Sequence, residues 1–268
     1  MTSHLFDPAN LFDLSDCRHR DLFVDSGAVW RVLSRLPSYL HQVMQPNLPE
    51  SIPIQRPLPE TLVLWRGRAY RDGFEILGGD VGKGTFRIKI GGELTTEATV
   101  LFAGCVLWDP LIELGPGSVM EPGALVKGPT LIGCFTEVRQ GAYVRGNCLV
   151  GDHCVVGHTT EIKSSIMLDH AKAGHFAYIG DSILGRNTNL GAGTKLANLK
   201  ITGTTVTIKL HGDKVETDLR KLGAILGDNT ELGCNSVTNP GVVLGKNCQV
   251  VPLTSVRAGY YPDGSRVQ

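Results

Sequence analysis

The chain has 268 residues, of which 42% are hydrophobic and only 6% aromatic, and it contains 33 glycines. This composition is typical of a regular, turn-rich domain. Basic and acidic residues number 26 each, so the overall charge favours neither a nucleic-acid nor a membrane partner. No apolar stretch of about 18 residues could span a bilayer, and residues 1–14 do not resemble a signal peptide. We therefore expect a cytoplasmic protein.

Residues 1–60 lack the pattern that dominates the rest of the chain. A helix is expected from Ser26 to about Met44, with Ser26 as its N-cap and Pro37 as a source of a kink. Five prolines follow between positions 46 and 59 and indicate a linker. We interpret this segment as a helical and proline-rich accessory element that could restrict the acceptor or bind a partner protein.

Residues 61–98 are predicted to form a strand-rich cap. Strand-like segments occur at Thr61–Trp65 and Thr85–Ile90. The stretch GGDVGKGT between Gly78 and Thr85 resembles a phosphate-binding loop superficially, but glycine follows its GK pair, and a hairpin turn is expected instead. A cap is needed because the exposed end of a repeat domain must be covered.

A hexapeptide repeat runs through the second hundred residues. Stepping by six from Phe102 to Leu168 meets a large apolar residue twelve times out of twelve, a pattern that chance would produce on the order of 10⁻⁵ of the time. The twelve positions are Phe102, Trp108, Leu114, Met120, Val126, Ile132, Val138, Val144, Val150, Val156, Ile162 and Leu168. A two-sheet sandwich predicts irregular turn spacing and does not account for strict sixes.

A second position supports the same period. The residue two before each apolar one is small in eight consecutive repeats, from Ser118 to Thr160. Residues two apart in a strand share a face, so both positions are expected to point inward. Cys148 and Cys154 are therefore predicted to be core residues. The seven cysteines contain no CxxC pair and are odd in number, which argues against a structural zinc site and a complete disulfide framework.

Three hexads, with one short strand and one corner each, would make one coil. The sequence therefore predicts an all-β solenoid over residues 99–258, a left-handed parallel β-helix of hexapeptide repeats with a mixed helix and strand cap at its N-terminal end. The six-residue spacing is one residue short around Ile179 and Leu184, and the regular spacing resumes at Leu226. Residues 200–221 break the pattern and are interpreted as a loop or hairpin outside the prism.

Two basic residues are placed on one surface by this register. Arg145 and Lys163 each follow an inward residue by one and are three hexads apart, which puts them on adjacent coils roughly 5 Å apart. Like charges at this spacing repel each other unless an anion lies between them, and a phosphate would suit that position. The alternative is two solvated surface cations.

His175 occupies another outward position, two hexads past Lys163, and so lies on a different face of the same subunit. It could meet Lys163 only across a boundary between neighbouring prisms. This geometry favours a homotrimer with sites at subunit interfaces. A lone histidine is more often structural than catalytic, so both interpretations stay open at this point.

The stretch from Glu161 to Asn198, with its KAGHxxYxGD and NxGAGT motifs, resembles the acetyltransferase domain of bifunctional N-acetylglucosamine-1-phosphate uridyltransferases. The segment TDLRKLGAILGDN, residues 217–229, resembles archaeal and related versions of that domain. The resemblance covers about residues 100–256. It implies an acetyl-CoA-dependent transfer to an amino-sugar phosphate, in particular glucosamine-1-phosphate, in the synthesis of UDP-N-acetylglucosamine and cell-envelope precursors.

The resemblance also implies roles for individual residues. His175 matches the general base that takes a proton from the sugar amine, and an imidazole suits this task because it titrates near neutrality. Glu161 matches the carboxylate that orients this histidine. Asn198 matches an asparagine near the reacting group, where an amide could stabilise a developing oxyanion.

Contacts to the two substrates follow from the same resemblance. Arg145 and Lys163 match residues that bind the sugar phosphate, while Tyr178 and Asn189 match contacts to the amino sugar. The backbone of Ala192 lies where the pantetheine arm of coenzyme A runs. No metal is implied for acetyl transfer.

Three departures concern coenzyme A. Leu199 replaces a tyrosine of the family, Thr204 replaces a lysine, and Cys234 stands in the coenzyme A groove where bacterial members have serine. The phosphates of coenzyme A would then need other basic residues of the insertion, namely Lys200, Lys209, Arg220 or Lys221. No match to the uridyltransferase domain occurs before residue 100, so no nucleotidyltransferase activity is expected from this chain alone.

Other functions remain open at this point. The prism could be a structural or regulatory scaffold that binds a sugar phosphate or sugar nucleotide, or it could transfer an acetyl group to another acceptor or to oxygen. Zinc-dependent carbonic anhydrases of the γ class use an HxxxxH pair, and both His153/His158 and His170/His175 have that spacing. The first pair has no third histidine on an earlier coil, because none lies between His41 and His153. For the second pair, His153 or His158 could in principle be the third ligand, although neither occupies a position that matches that family, and zinc with only two histidines would be poorly held.

Overall fold

The computed structural model describes residues 2–210 and 212–268, and Met1 and His211 lie outside the described residues. Its main body is a left-handed parallel β-helix of about nine coils, as predicted. Three parallel sheets form the sides of the prism and are called faces 1, 2 and 3 in the order in which the chain visits them. The corner between faces 1 and 2 is called corner 1–2, and the other corners are named likewise.

Each face consists of very short parallel strands. Face 1 contains nine: Thr99–Leu101, Val119–Met120, Glu137–Val138, Val155–His158, Lys172–His175, Asn189–Leu190, Glu231–Leu232, Gln249–Val250 and Arg266–Val267. Face 2 contains eight: Val106–Leu107, Leu125–Val126, Tyr143–Val144, Glu161–Lys163, Tyr178–Gly180, Lys195–Leu196, Val237–Thr238 and Ser255–Val256. Face 3 contains eight: Ile112–Leu114, Thr130–Ile132, Cys148–Val150, Ile166–Met167, Ile183–Leu184, Ala224–Leu226, Val242–Leu244 and Gly259–Tyr261.

The interior of the prism is a continuous stack of buried apolar side chains. Val144, Ile162 and Ile179 pair as direct neighbours on face 2, and each is fully buried. Cys148 and Cys154 are also fully buried in this stack. Each coil is too thin to bury its own residues, so the core forms only when coils stack on one another.

Adjacent coils bring backbones very close together. Gly157 lies in the strand Val155–His158, and a Cβ there would clash with the carbonyl oxygen of Gly174 on the next coil, so no side chain fits at this position. Several corner residues adopt a positive φ, among them Asn187, Asn229 and Asn247. Asparagine tolerates this conformation better than most residues, which explains its recurrence where the chain turns.

The strict hexad places three of the twelve apolar residues wrongly. The inward positions of the first coil are Leu101 and Leu107, so Phe102 packs only partly buried outside the prism core and Trp108 is 37% exposed. One residue more than six separates Leu107 from the inward Leu114, and one fewer separates Ile162 from Met167. Leu168 consequently packs in a cluster outside the prism.

The N-terminal segment packs against the outside of face 3. Its helical elements are Thr2–Phe6, Pro8–Leu11, Arg20–Leu22 and Arg31–Val43, the first and third being 3₁₀ helices. Buried residues such as Phe12 and Leu36 join Leu149 and Ile183 of face 3 in one apolar cluster. The main helix begins at Arg31 rather than after Ser26, so the predicted N-cap is wrong, and the buried Ser26 hydroxyl has no hydrogen-bond partner among the described residues.

The first coil is covered by the segment that follows. Ile52 and Leu58 are buried against the end of the prism core. The hairpin Leu62–Trp65 with Arg68–Tyr70 continues face 1 in antiparallel fashion. A separate three-stranded sheet contains Phe74–Gly78, Arg87–Ile90 and Glu93–Thr95. None of the helices that the structure describes is long and apolar enough to cross a membrane.

The insertion at residues 200–221 contains an antiparallel hairpin, Thr207–Leu210 with Asp213–Glu216. This hairpin does not project freely from the prism. Val206, Ile208 and Leu210 are buried in the same cluster as the N-terminal helices. The N-terminal segment and the hairpin therefore cover face 3 together, and the outward surfaces of faces 1 and 2 carry the predicted site residues.

Candidate active site

The surface of face 2 carries Arg145 and Lys163 in the predicted register. The Arg145 backbone N–H donates to the carbonyl oxygen of Ile162, which places Arg145 beside Lys163 on the next coil. Arg145 also donates from its guanidinium to Glu161 Oε1 at 2.8 Å. This hydrogen bond is the largest of the influences that raise the pKa of Arg145. The first predicted cation therefore has a carboxylate partner in the same chain.

Lys163 lies in a tighter polar network. Its Nζ is 2.6 Å from Asp181 Oδ2, and each of the two side chains is only 16% exposed. Asn198 donates an amide N–H to the same Asp181 oxygen, and the Tyr178 hydroxyl lies 3.4 Å from Asn198 Oδ1. Four residues of three coils are thus joined at the end of face 2 that leads into corner 2–3.

Gly180 makes this network possible. It pairs with Lys163 across the sheet, and a Cβ at Gly180 would lie 2.7 Å from both the Asn198 amide nitrogen and the Tyr178 hydroxyl oxygen. A side chain at this position would push the two polar groups apart. The packing of the site therefore explains, on steric grounds, why the YxGD motif has glycine at this position.

His175 lies elsewhere, at corner 1–2. It ends the face 1 strand Lys172–His175, pairs with His158 of the preceding coil and is exposed. Three residues later Tyr178 begins the face 2 strand that pairs directly with Glu161. His175 and Glu161 therefore flank one corner on consecutive coils, but the hydrogen bond of Glu161 goes to Arg145 and not to His175.

Two residues that were predicted to contact coenzyme A, Ala192 and Cys234, lie at the same corner as His175 on later coils. The Gly193 N–H donates to the His175 carbonyl, and the Asn235 N–H donates to the Ala192 carbonyl. Lys172, Asn189 and Glu231 are paired residues of face 1, so the residues three further on, His175, Ala192 and Cys234, occupy equivalent positions of three successive coils. Asn189 is exposed on face 1 beside this row, away from Tyr178.

The basic residues of the insertion form a second group at corner 2–3. Lys200 and Lys209 line a groove of about 510 Å³ together with Leu199, Ile201 and Arg257. Lys200 also donates to the Thr205 carbonyl within its own loop at 2.7 Å. Arg220 and Lys221 are exposed where the insertion rejoins the prism. Within one chain, the predicted coenzyme A residues are therefore divided between two corners.

Two features of the site were missed by reasoning from the sequence. Asp181 follows Lys163 at a spacing of three hexads, so a search for opposite charges one coil apart would have found it. Trp108 was placed in the core by the hexad, whereas it stands exposed beside Lys127 on the outer surface of face 2. Only the seven-residue step between Leu107 and Leu114 could have revealed this second error.

The histidine pairs considered for zinc are divided between corners. His153 and His170 stack at corner 3–1 with ring centroids 4.9 Å apart, while His158 and His175 lie at corner 1–2. Burial lowers the pKa of His170. Residues 2–210 and 212–268 contain no group of three or more histidine, cysteine, aspartate or glutamate side chains that could hold a metal ion.

These observations define the class of protein as a left-handed β-helix of hexapeptide repeats with a polar site on face 2. Residues 126–215 match the family model described as the GMPPB C-terminal domain. The chain is also similar to the bifunctional protein GlmU of Methanococcus maripaludis strain C5, with 42% identity over 40% of this chain and 26% of that protein. The resemblance predicted from the sequence is thus confirmed.

A second relative is the bifunctional sugar-1-phosphate nucleotidylyltransferase/acetyltransferase of Sulfurisphaera tokodaii, 31% identical over 50% of this chain and 38% of that protein. The chain therefore corresponds to well under half the length of the curated relatives that it matches. Among solved structures, a UDP-N-acetylglucosamine acyltransferase of Francisella novicida covers 58% of this chain with a TM-score of 0.39 and 13% identity. That similarity is too low to inform function.

Proposed function

We propose that the chain is an acetyl-CoA-dependent N-acetyltransferase that acts on an amino-sugar phosphate, in particular glucosamine-1-phosphate, in the cytoplasm. The observation that carries this proposal is the polar network on face 2, with Arg145 on the preceding coil. The network consists of Lys163, Asp181, Asn198 and Tyr178. It combines cations for a phosphate with hydroxyl and amide groups for a sugar. The similarity to a bifunctional sugar-1-phosphate nucleotidylyltransferase/acetyltransferase supports acetyl transfer as the reaction class.

The acceptor phosphate is proposed to bind at Arg145 and Lys163. Arg145 already pairs with Glu161 at 2.8 Å, and Lys163 with Asp181 at 2.6 Å. A bound phosphate would therefore share each cation with its carboxylate partner. Asp181 and Glu161 then hold the two cations in position before the substrate arrives. Preorganised cations lose less side-chain entropy on binding than mobile ones.

His175 is proposed as the general base. It takes the proton from the sugar amine while the nitrogen forms a bond to the thioester carbonyl carbon, and the proton leaves with the coenzyme A sulfur when the carbon–sulfur bond breaks. Asn198 retains one amide hydrogen that is not used by Asp181, and this N–H is proposed to donate to the oxygen that gains negative charge. No metal takes part in these steps.

The donor is proposed to run from His175 past Ala192 and Cys234, toward later coils than those that hold the acceptor phosphate. The acceptor and donor then approach His175 from opposite ends of the prism. The basic groove at corner 2–3 would receive the phosphates of coenzyme A from a neighbouring subunit. This requires corner 1–2 of one chain to meet corner 2–3 of another.

A homotrimer with sites at its interfaces satisfies that requirement. Face 3 is covered by the N-terminal segment and the hairpin, and the first coils of face 1 are covered by the three-stranded sheet. Face 2 and the later coils of face 1 are left for contacts between subunits. His175 on face 1 and Lys163 on face 2 would then approach each other across the interface. Light scattering is expected to give three times 28.9 kDa, and a mass near 28.9 kDa would contradict the shared site.

The test of activity is release of coenzyme A thiol from acetyl-CoA in the presence of glucosamine-1-phosphate. The His175→Ala variant is expected to lower kcat by about 10²- to 10⁴-fold, the usual contribution of a general base. His158→Ala is the matched control because His158 is the exposed neighbour of His175 on face 1, and it should retain activity. Wild-type protein that releases no thiol with glucosamine-1-phosphate would exclude this acceptor. Release of no thiol with a nucleotide-linked amino sugar as well would refute the reaction and favour a scaffold that binds a sugar phosphate or sugar nucleotide.

A further inference from the structure

The row of cations on face 2 is longer than a sugar phosphate requires. Lys127 pairs in register with Arg145, because its backbone N–H donates to the Val144 carbonyl just as the Arg145 N–H donates to Ile162. Lys127, Arg145 and Lys163 therefore occupy one position on three successive coils, and they are called the cation row. Coils of a β-solenoid are separated by roughly 5 Å, so the row extends over about 10 Å.

Lys127 differs from the other two members of the row. Arg145 is paired with Glu161 and Lys163 with Asp181, whereas the described residues give Lys127 no ion pair. The neighbouring carboxylate, Asp109, accepts backbone hydrogen bonds from Leu111 and Gly128 instead. The positive charge of the row that is not neutralised thus lies at its far end, beyond the proposed site for the acceptor phosphate.

Aromatic rings surround this end of the row. The Lys127 ammonium lies 4.6 Å from the centroid of the Trp108 ring and 5.5 Å from that of Tyr143. Trp108 occupies the same register position on the coil that precedes that of Lys127, and it is 37% exposed. An exposed indole next to an unpaired cation is a combination that binds stacked bases and their phosphates in many proteins.

The order of groups along the prism matches one type of ligand. From the level of His175 toward earlier coils, the surface presents polar groups around Tyr178, then Lys163 and Arg145, then Lys127 and finally Trp108. A nucleoside diphosphate sugar contains an amino sugar, then two phosphates and, beyond its ribose, a base, in the same order. A sugar monophosphate would leave Lys127 and Trp108 without a role.

We propose that Lys127 and Trp108 form a subsite for the second phosphate and the base of a nucleoside diphosphate, so that the acceptor is a nucleotide-linked amino sugar. This inference rests on the proposed function for the chemistry of the acceptor. The subsite itself depends only on face 2 of one chain. Tyr143 also belongs to it, because the centroid of its ring lies 5.5 Å from the Lys127 ammonium.

Calorimetric titration of the full chain with uridine diphosphate and with inorganic pyrophosphate tests the subsite without any turnover. Uridine diphosphate is expected to bind the wild type roughly 5- to 100-fold more tightly than pyrophosphate, because base stacking contributes by this much. Trp108→Ala should abolish this preference. Lys127→Ala should weaken both ligands by roughly tenfold or more, since it removes a charge-assisted contact.

Lys89→Ala is the matched control, because Lys89 is an exposed lysine of the separate three-stranded sheet and should leave both affinities unchanged. Trp108→Leu replaces Trp108→Ala if the latter does not fold, since leucine retains apolar bulk but offers no ring. Equal affinities for the two ligands, or a preference that survives loss of the indole, would overturn the subsite. If the preference is found but no acceptor is acetylated, the proposed function fails while the subsite stands.

Discussion

The pair of Lys163 and Asp181 allows a quantitative test of how the site is built. Both side chains are 16% exposed and their charged atoms are 2.6 Å apart. Two unit charges about 4 Å apart attract each other by about 4 kcal/mol at an effective dielectric constant of 20, before the cost of desolvation is subtracted, and the shorter distance in this pair makes that value a lower limit. We therefore expect a net coupling of about 1–2 kcal/mol, in the range measured for interacting neighbours.

A double-mutant cycle measures this coupling. Lys163→Met, Asp181→Asn and the double variant are unfolded in urea at one fixed protein concentration, because assembly would make stability depend on concentration. Each single variant should lose about 1–3 kcal/mol, since it leaves a largely buried polar group without its partner. The double variant should lose less than the sum of the two.

The exposed pair of Lys83 and Asp80 is the control for this cycle. Their side chains are 79% and 49% exposed, so a coupling below about 0.5 kcal/mol is expected there. Single losses at Lys163 and Asp181 that add up to the double loss would refute the reasoning. Lys163 would then be energetically independent of Asp181 and would need no preorganising carboxylate.

Two further predictions concern pH and thiol reactivity. Burial lowers the pKa of His19 from 6.5 to about 4, so protonation favours the unfolded chain, and roughly 3 kcal/mol of stability should be lost as the pH falls from 6.5 to 4. Thermal unfolding of His19→Gln should show a smaller decrease over this range, and an equal decrease would exclude His19 as its cause. Iodoacetamide should modify the exposed Cys234 before the buried Cys148, whose pKa burial raises to about 12. Acetyl-CoA should slow modification of Cys234 but not of half-buried Cys134, and equal rates with and without it would argue against the proposed donor path.

The sequence by itself determined the fold class and most of the core. From Leu114 to Ile162 every inward residue predicted by the hexad is buried, because successive side chains of a strand alternate between the inside and the outside of the prism. The spacing of three hexads likewise predicted that Arg145 and Lys163 lie side by side. These are local consequences of a regular repeat, and periodicity is sufficient to derive them.

Only the tertiary structure decided which surfaces stay open and that Glu161 pairs with Arg145 rather than with His175. The covering of face 3 by Phe12, Leu36 and the inserted hairpin joins segments that are far apart in the chain. Such contacts depend on three-dimensional packing between distant segments, which a local hexapeptide period does not encode.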